Sequence, residues 1–362
     1  MPRSFFFRIF PVPDYLARPA AGLDISDRSI KFAVLSPRGR ELRLKTFGEK
    51  GVPFGLIEAG QIKNPLELTS ILKELAQQWG LRYVIASLPE EPAYVVRLKL
   101  PSVRASELRS AIELQLEDYV PLKAAESVFD YEILKMPPNT KSDFELSVLV
   151  IAKNLTEAYL EVLQAAGLQP LAFEAEAQAI ARTVVPRAEK ASVLIIDIGK
   201  TRTSFFVAKG NVLLSTSTVS TFGGDNLTQT VAKALECSAN VAEAMKIERG
   251  LLRSKKDNQL IFALLPPVSV LKDEILKRYN YWNTNEAHGE NEQISRLILS
   301  GGQSALPGLV EYLSTYIDVP IELANVWINL MDIKRNVPPI TFNNSQKYAT
   351  ALGLALRNSM KE

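Results

Sequence analysis

The chain has 362 residues, with 42 Lys and Arg against 40 Asp and Glu and a net charge of +2, so no global field points to nucleic acid or to an acidic substrate. A single cysteine, Cys237, and a single histidine, His288, exclude an internal disulfide and a Cys/His zinc site, and His288 sits in a polar run expected to be a solvated loop. With 47% hydrophobic and 23% charged residues, the length fits about two or three globular domains, whose chemistry must use carboxylates, amides, hydroxyls and a metal ion.

No apolar run approaches the roughly 20 residues that span a bilayer. The start, Met1 to Phe10, lacks the apolar region and small-residue cleavage site of a leader, so a cytosolic protein is expected. Residues 1–19 hold four Phe and three Arg, broken by prolines at 2, 11, 13 and 19. Two readings stand for them: a strap along the surface, or an aromatic-basic contact with a membrane interface or membrane partner.

Gly22-Leu-Asp24-Ile-Ser26 predicts a strand ending at an acidic turn, with Ser29-Ile-Lys31-Phe32-Ala-Val34 returning from it. A polar turn, Ser36-Pro-Arg-Gly39, leads to a further strand over Leu42–Phe47. Asn64-Pro65 opens a helix to about Trp79, with Leu68, Ile71, Leu72 and Leu75 on one face. Tyr83–Leu88 reads as the edge strand of this sheet.

From Glu91 to Ala152 the style changes to an inserted α+β subdomain. It holds a strand over Tyr94–Leu100 and a helix over Ser106–Val120 with Leu108, Ala111, Ile112, Leu116 and Tyr119 on one stripe. Paired strands, Phe129–Leu134 and Glu145–Ala152, flank a polar loop containing Pro137-Pro138. A helix over Thr156–Gly167, a strand over Leu171–Glu174 and a helix over Ala175–Val184 lead to the second half.

That half opens on Val193-Leu-Ile-Ile-Asp197-Ile-Gly199. Its unbroken apolar run predicts a strand buried on both faces. Setting Asp24 on Asp197 places Phe32 on Phe205 and Val34 on Val207, so the two halves read as a duplicated strand–turn–hairpin unit. Gly223-Gly224-Asp225 begins a helix, and Val231–Arg249 reads as helical. Leu251–Leu265 is short and polar, and Val268–Trp282 is a helix. Arg296–Leu299 then runs into Ser300-Gly301-Gly302-Gln303, a glycine turn at a strand's C-terminal end, where open α/β sheets bind ligands. A helix over Leu306–Tyr316, a strand over Pro320–Leu323 and a small-residue helix over Tyr348–Leu356 complete the chain.

Two Asp turns facing each other, with a Ser-Gly-Gly loop beside them, suit a nucleoside triphosphate and a divalent metal. Asp24 and Asp197 would hold the water shell of Mg²⁺, which keeps several waters and uses few carboxylates. Gly199, Lys200 and Thr203 would bind phosphate oxygens.

These stretches resemble the actin-like ATPase superfamily, and within it the PilM family of type IV pilus assembly proteins, over nearly all of residues 20–358. Asp24 to Lys31, including Ser26 and Ser29, resembles the first phosphate loop, and Asp197 to Thr203 the second. Gly223-Gly224-Asp225 resembles the Gly-Gly motif. Glu243 and Lys246 resemble the ribose- and adenine-contacting helix, and Ser300-Gly301-Gly302 with Gln303 the adenosine motif. Ala111–Pro121, Phe129–Leu134 and Ala351–Arg357 resemble the marks of the PilM family itself. Ser26 stands where the family usually has Gly, Lys200 where it has a small residue, and Arg278 where a small residue meets the purine, so that an Arg could stack on the base. Glu176-Ala177 lies where related chaperones carry a Glu-Pro pair, which makes Glu176 the candidate for orienting a water; a solvated or capping Glu is the other reading.

The resemblance implies a duplicated α/β actin-like (ribonuclease H-like) fold with a central cleft. Its expected divisions are an N-terminal segment 1–19 and a subdomain 20–90 completed by 153–190 and 340–358. The insert is 91–152, the second large subdomain 191–230 with 293–339, and the smaller one 231–292. It also implies ATP and Mg²⁺ as cofactors, weak turnover at most, and a cytoplasmic scaffold peripheral to the inner membrane. The implied partner is the cytoplasmic N-terminal segment of a PilN-type membrane protein, in a groove formed by roughly residues 83–160, with the assembly motor ATPase a further candidate. Three other readings share the fold. A sugar kinase is disfavoured by Ser26 and Arg28, an FtsA-like division protein by the lack of amphipathic pattern in Arg357–Glu362, and a type II secretion L protein by the end of the chain without a transmembrane helix.

Overall fold

A computed structural model describes residues 20–38, 41–101, 103–104, 106–136, 143–252, 258–287 and 292–359. The aromatic-basic segment 1–19, Pro137-Pro138 and His288 lie outside them.

In chain order the first lobe begins with β1 (Ala21–Ser26), β2 (Ser29–Arg38) and β3 (Glu41–Gly51), followed by the short pair β4 (Ile57–Glu58) and β5 (Gln61–Ile62), helix α1 (Pro65–Trp79) and β6 (Tyr83–Leu88). Helix α1 starts where the Asn64 side chain accepts from the Glu67 N–H and Pro65 fills the first turn, and it stops at Gly80 with φ 64°, a left-handed cap that favours glycine. The insert holds β7 (Ala93–Leu100), α2 (Leu108–Gln115), β8 (Ser127–Lys135) and β9 (Phe144–Ala152). Then come α3 (Lys153–Ala165), β10 (Gln169–Ala175) and α4 (Glu176–Val184).

The second lobe holds β11 (Ser192–Ile198), β12 (Thr203–Lys209), β13 (Val212–Val219), α5 (Gly224–Ala234), α6 (Ala239–Glu248), α7 (Asn258–Tyr281), β14 (Ile294–Ser300), α8 (Leu309–Ser314) and β15 (Ile321–Leu323). The chain returns to the first lobe with α9 (Phe342–Ser345) and α10 (Ala349–Ser359).

The large sheets have strand orders β10-β6-β1-β2-β3 and β13-β12-β11-β14-β15. In both, the first hairpin is antiparallel and the two strands on its other side are parallel. Asp24 lies opposite Lys31 and Asp197 opposite Ser204, so the two hairpins share one register. The duplication expected from spacing is therefore present in hydrogen-bonded topology.

Helices α4 and α10 pack between the sheets. Ala177, Ile180 and Ala181 of α4 join Ala351, Leu352 and Ala355 of α10 in a core that also takes Ala33, Val193, Ile195 and Phe206. The crossing is close enough to need glycine. A Cβ on Gly353 would run into the Ala179 carbonyl, and one on Gly22 into that of Ala351. The insert is a three-stranded sheet, β7-β9-β8, with its own core: Leu108 and Ile112 of α2 cover Leu98, Leu146 and Val148.

Several elements differ from the sequence expectation. Tyr83–Leu88 is interior, because Gln169–Ala175 pairs beyond it and forms the edge. The helix expected over Val231–Arg249 is two helices, broken where Glu236 takes φ 49° and restarted where Ser238 caps the Val241 N–H at 3.4 Å. Helix α7 begins ten residues earlier than Val268 and runs through Pro266 and Pro267. Its buried stripe of Leu260, Leu264, Val268, Leu271 and Ile275 overrides a break that costs about 3 kcal/mol for a proline in a helix interior. Helices α2 and α8 are shorter than expected, and Tyr119, placed on the stripe of α2, is 50% exposed.

Candidate functional site

The ends of β1, β11 and β14 meet around one cavity of about 400 Å³. Asp24, Ser26, Ser29 and Lys31 line it from the first turn, and Asp197, Gly199 and Lys200 from the second. Glu176 projects from the start of α4, Glu243 and Lys246 from α6, and Gly301, Gly302 and Gln303 from the turn after β14. Gly301 has φ 89°, and a Cβ there would meet the Ile198 carbonyl oxygen at 2.5 Å. Only glycine lets these two strand ends touch.

The two aspartates are in different surroundings. Asp24 is buried, accepts from Ser87 Oγ at 3.4 Å and meets Lys31 Nζ at 3.5 Å. Burial, and then the neighbouring Asp24 charge, push the Asp197 carboxyl up to about 6. A carboxyl raised in this way by a neighbouring carboxylate fits a divalent cation, whose charge would relieve the repulsion. Among the described residues no group of three or more His, Cys, Asp or Glu converges as a ligand set. Bound there with a triphosphate, the ion would neutralise phosphate charge between Asp24 and Asp197.

Lys246 is buried, with its ammonium donating to the Gly224 carbonyl at 3.1 Å, Thr228 Oγ1 at 2.9 Å and Glu243 at 2.6 Å. Burial lowers the Lys246 pKa. Burial also acts to raise Glu243, but hydrogen bonds from Lys246 and Thr228 outweigh it and hold that carboxyl low. Glu243 therefore stays an anionic acceptor facing the cavity, suited to hydroxyl donors such as those of a ribose.

Five residues expected in the site are placed elsewhere. Thr203 turns its hydroxyl to the Phe222 carbonyl at 2.9 Å. Gly223 and Gly224 serve packing: a Cβ on Gly223 would meet the Lys200 carbonyl oxygen at 2.8 Å, and one on Gly224 the Gln303 side chain. The first amides of α5 are already used, Gly224 N–H donating to Gly199 O at 3.0 Å and Asp225 N–H to Lys200 O at 2.8 Å. Asp225 instead reaches across the cleft to Arg28 at 2.8 Å, and the Arg28 guanidinium lies 4.6 Å from the Phe54 ring centre. Arg278 is outside the cavity, stacked 4.1 Å from the Phe205 ring centre, with Nε donating to Ser217 Oγ at 2.8 Å. Helix α7 packs on the outer face of the second sheet and holds it there. Ser26 costs the first turn nothing in backbone freedom, because its counterpart Gly199 is not among the positive-φ glycines.

The sequence did not single out Arg202, the centre of the site's electrostatics. Its buried guanidinium meets Asp27, Glu91 and Glu176, each at 3.3 Å. These carboxylates keep it charged against the opposing effect of burial. Burial, partly countered by Arg202 and then reinforced by Asp24 and Asp197, pushes Glu176 up to about 8. A protonated Glu176 is a hydrogen-bond donor and a poor base for water. Asn343, Asn344, Gln346 and Lys347 also line the cavity, from the start of the last helical segment.

The model of the family described as type IV pilus assembly protein PilM matches residues 22–359. The chain belongs to the PilM family. Among solved structures, the PilM–PilN type IV pilus biogenesis complex is 24% identical with TM-score 0.78, covering 95% of this chain and 99% of that one. MreB5 of Spiroplasma citri, solved bound to ADP, is 11% identical with TM-score 0.58, covering 94% and 95%. The ethanolamine utilization protein EutJ of Carboxydothermus hydrogenoformans is 14% identical with TM-score 0.56, covering 96% and 91%. These likenesses establish an actin-like fold. No curated protein matches the sequence. Among the described residues of this PilM-family chain, no helix is long and apolar enough to cross a membrane. It is a pilus assembly protein with an actin-like cleft.

Proposed function

We propose that the chain is an ATP- and Mg²⁺-binding scaffold of the type IV pilus inner-membrane assembly complex. Its output would be capture of the cytoplasmic N-terminal segment of a PilN-type membrane protein. The observation that carries the nucleotide half is the pair of register-matched aspartate turns opening on one cavity that Glu243 also lines. Turnover is weak in this reading, because Glu176 is spent on Arg202. A subdomain division at residues 91 and 152 fits the separate core of the insert, and the peptide groove lies between that insert and the first lobe. Leu108 and Ile112 are buried under the insert's sheet, so they support the groove without forming its surface; Tyr119 stays available. The protein acts from the cytoplasm, peripheral to the inner membrane through its partner, with the motor ATPase a second contact.

Titrating a labelled peptide from the neighbouring membrane protein, with and without ATP–Mg²⁺, tests both halves. Absence of peptide binding in both conditions removes the scaffold reading. Failure of ATP–Mg²⁺ to bind in calorimetry removes the nucleotide reading.

A further inference from the structure

The insert is covalently part of the first lobe. Its chain leaves after β6 and returns through β9 directly into α3. Its polar contacts nevertheless reach the second lobe. At its root two adjacent carboxylates diverge. Glu90, buried, accepts from Thr216 Oγ1 of β13 at 2.6 Å and from the Ala177 N–H of α4 at 3.1 Å. Glu91 accepts from Arg202 at 3.3 Å. Further along, Ser147 Oγ donates to the Leu213 carbonyl of β13, and Arg97 meets Glu292 at 3.1 Å and the Glu286 carbonyl at 3.2 Å. A body joined to one lobe by its chain and to the other by such contacts must respond when the lobes or their turns move.

We infer that Arg202 and Glu91 form a relay through which cleft occupancy loosens the root of the insert. Arg202 stands in the second phosphate turn and serves three carboxylates at once. An anionic phosphate arriving beside it competes for the same donors. Of its anionic partners, the carboxylate given up is the one that water can best re-solvate. The side chains of Asp27 and Glu176 are both 9% exposed, whereas that of Glu91 is 21% exposed. Releasing Glu91 therefore costs least. Once released, β7 loses one of its two root ties to the second lobe, while Glu90 keeps the other.

This relay rests on nucleotide occupying the cleft, and its test separates the two ideas. Hydrogen exchange is followed by mass spectrometry on the full chain over residues 89–100, with and without ATP–Mg²⁺, while calorimetry reports ATP affinity. In the unmodified protein, saturating ATP–Mg²⁺ should speed exchange there by about fivefold or more, the low end of ordinary coupling between sites. Glu91→Gln should exchange fast from the start and respond no further. By reciprocity it should also bind ATP tighter by about the same factor, since one competitor for Arg202 is already removed. Glu91→Asp, which keeps the charge but withdraws it from the guanidinium, should behave like Glu91→Gln. Thr216→Val, which cuts the other tie, should keep the nucleotide response. ATP binding with residues 89–100 unmoved, or a full response surviving in both Glu91 variants, overturns the relay. No ATP binding in the unmodified protein overturns the nucleotide reading, and the relay falls with it.

Discussion

The two turns share a register and treat their aspartates differently. In the first, Asp24 has Lys31 directly opposite on the returning strand and 3.5 Å away. In the second the same position is Ser204, whose hydroxyl is paired with Thr218, and Asp197 is left to be pushed up to about 6 by burial and by Asp24. Duplication preserved the geometry while the charges diverged. The first turn supplies its own cation; the second needs one brought in.

The sharpest way to break that comparison is to remove each carboxylate in turn. Asp197→Ala should weaken ATP–Mg²⁺ binding by on the order of a hundredfold, or about 2.7 kcal/mol, without unfolding the protein. Asp24→Asn should cost about tenfold, because it also frees Lys31 to meet phosphate. Equal losses by calorimetry would show that the turns are equivalent after all.

The pH dependence sharpens it further. Because Asp197 titrates at about 6, its metal-holding form is lost as pH falls through that value. ATP–Mg²⁺ affinity should drop about tenfold between pH 7 and pH 5, and Asp197→Asn should flatten the profile. A profile unchanged in Asp197→Asn would assign the titration to another group.

Stability responds with the opposite slope through Glu176. Its folded pKa, about 8, lies above the ordinary 4.5, so the folded state holds a proton that the unfolded chain has released. That contribution is full below about pH 4.5 and lost as pH rises through 8. Glu176→Gln, which cannot ionise, should gain on the unmodified protein by about 3 kcal/mol between pH 5.5 and pH 8.5. Parallel melting curves at the two pH values would place a charged Glu176 beside Arg202 throughout. The smallest effect is expected at the cleft-spanning pair. Arg28→Ala should cost no more than about 1 kcal/mol in thermal unfolding, as for partly exposed ion pairs; a larger loss would make this contact a structural latch.

Much of this was legible in the chain because it is local. The Asp24 and Asp197 turns, their common spacing and the glycine turn at Gly301 are each set by a few consecutive residues, and all line the cavity. Arg202 was not legible, since its partners Asp27, Glu91 and Glu176 are scattered through the chain and gather only when both lobes and the insert pack. Arg278 was misplaced for a related reason. Its helix was expected, but the side it shows is set by packing: the buried stripe of α7 lies on the second sheet and holds Arg278 against Phe205. Thr203, Gly223 and Gly224 fall in the right motif but face its inner side, where they stitch the second turn to α5. A motif locates a loop; which of its atoms reach a ligand depends on which have already been taken by the loop itself.

The close crossing of α10 over β1 also constrains how the chain is made. Gly22 lies in the middle strand of the first sheet, and its face is covered by residues 349–359. Ala21, Leu23 and Ile25 on the opposite face pack within the first lobe against α1 and α3, but the Gly22 face cannot be covered until the whole second lobe has emerged. During synthesis the second lobe, whose sheet is drawn from the continuous stretch 192–323, is free to fold first. The lobe carrying the insert must wait for it to close that second face, which stays exposed in the interval.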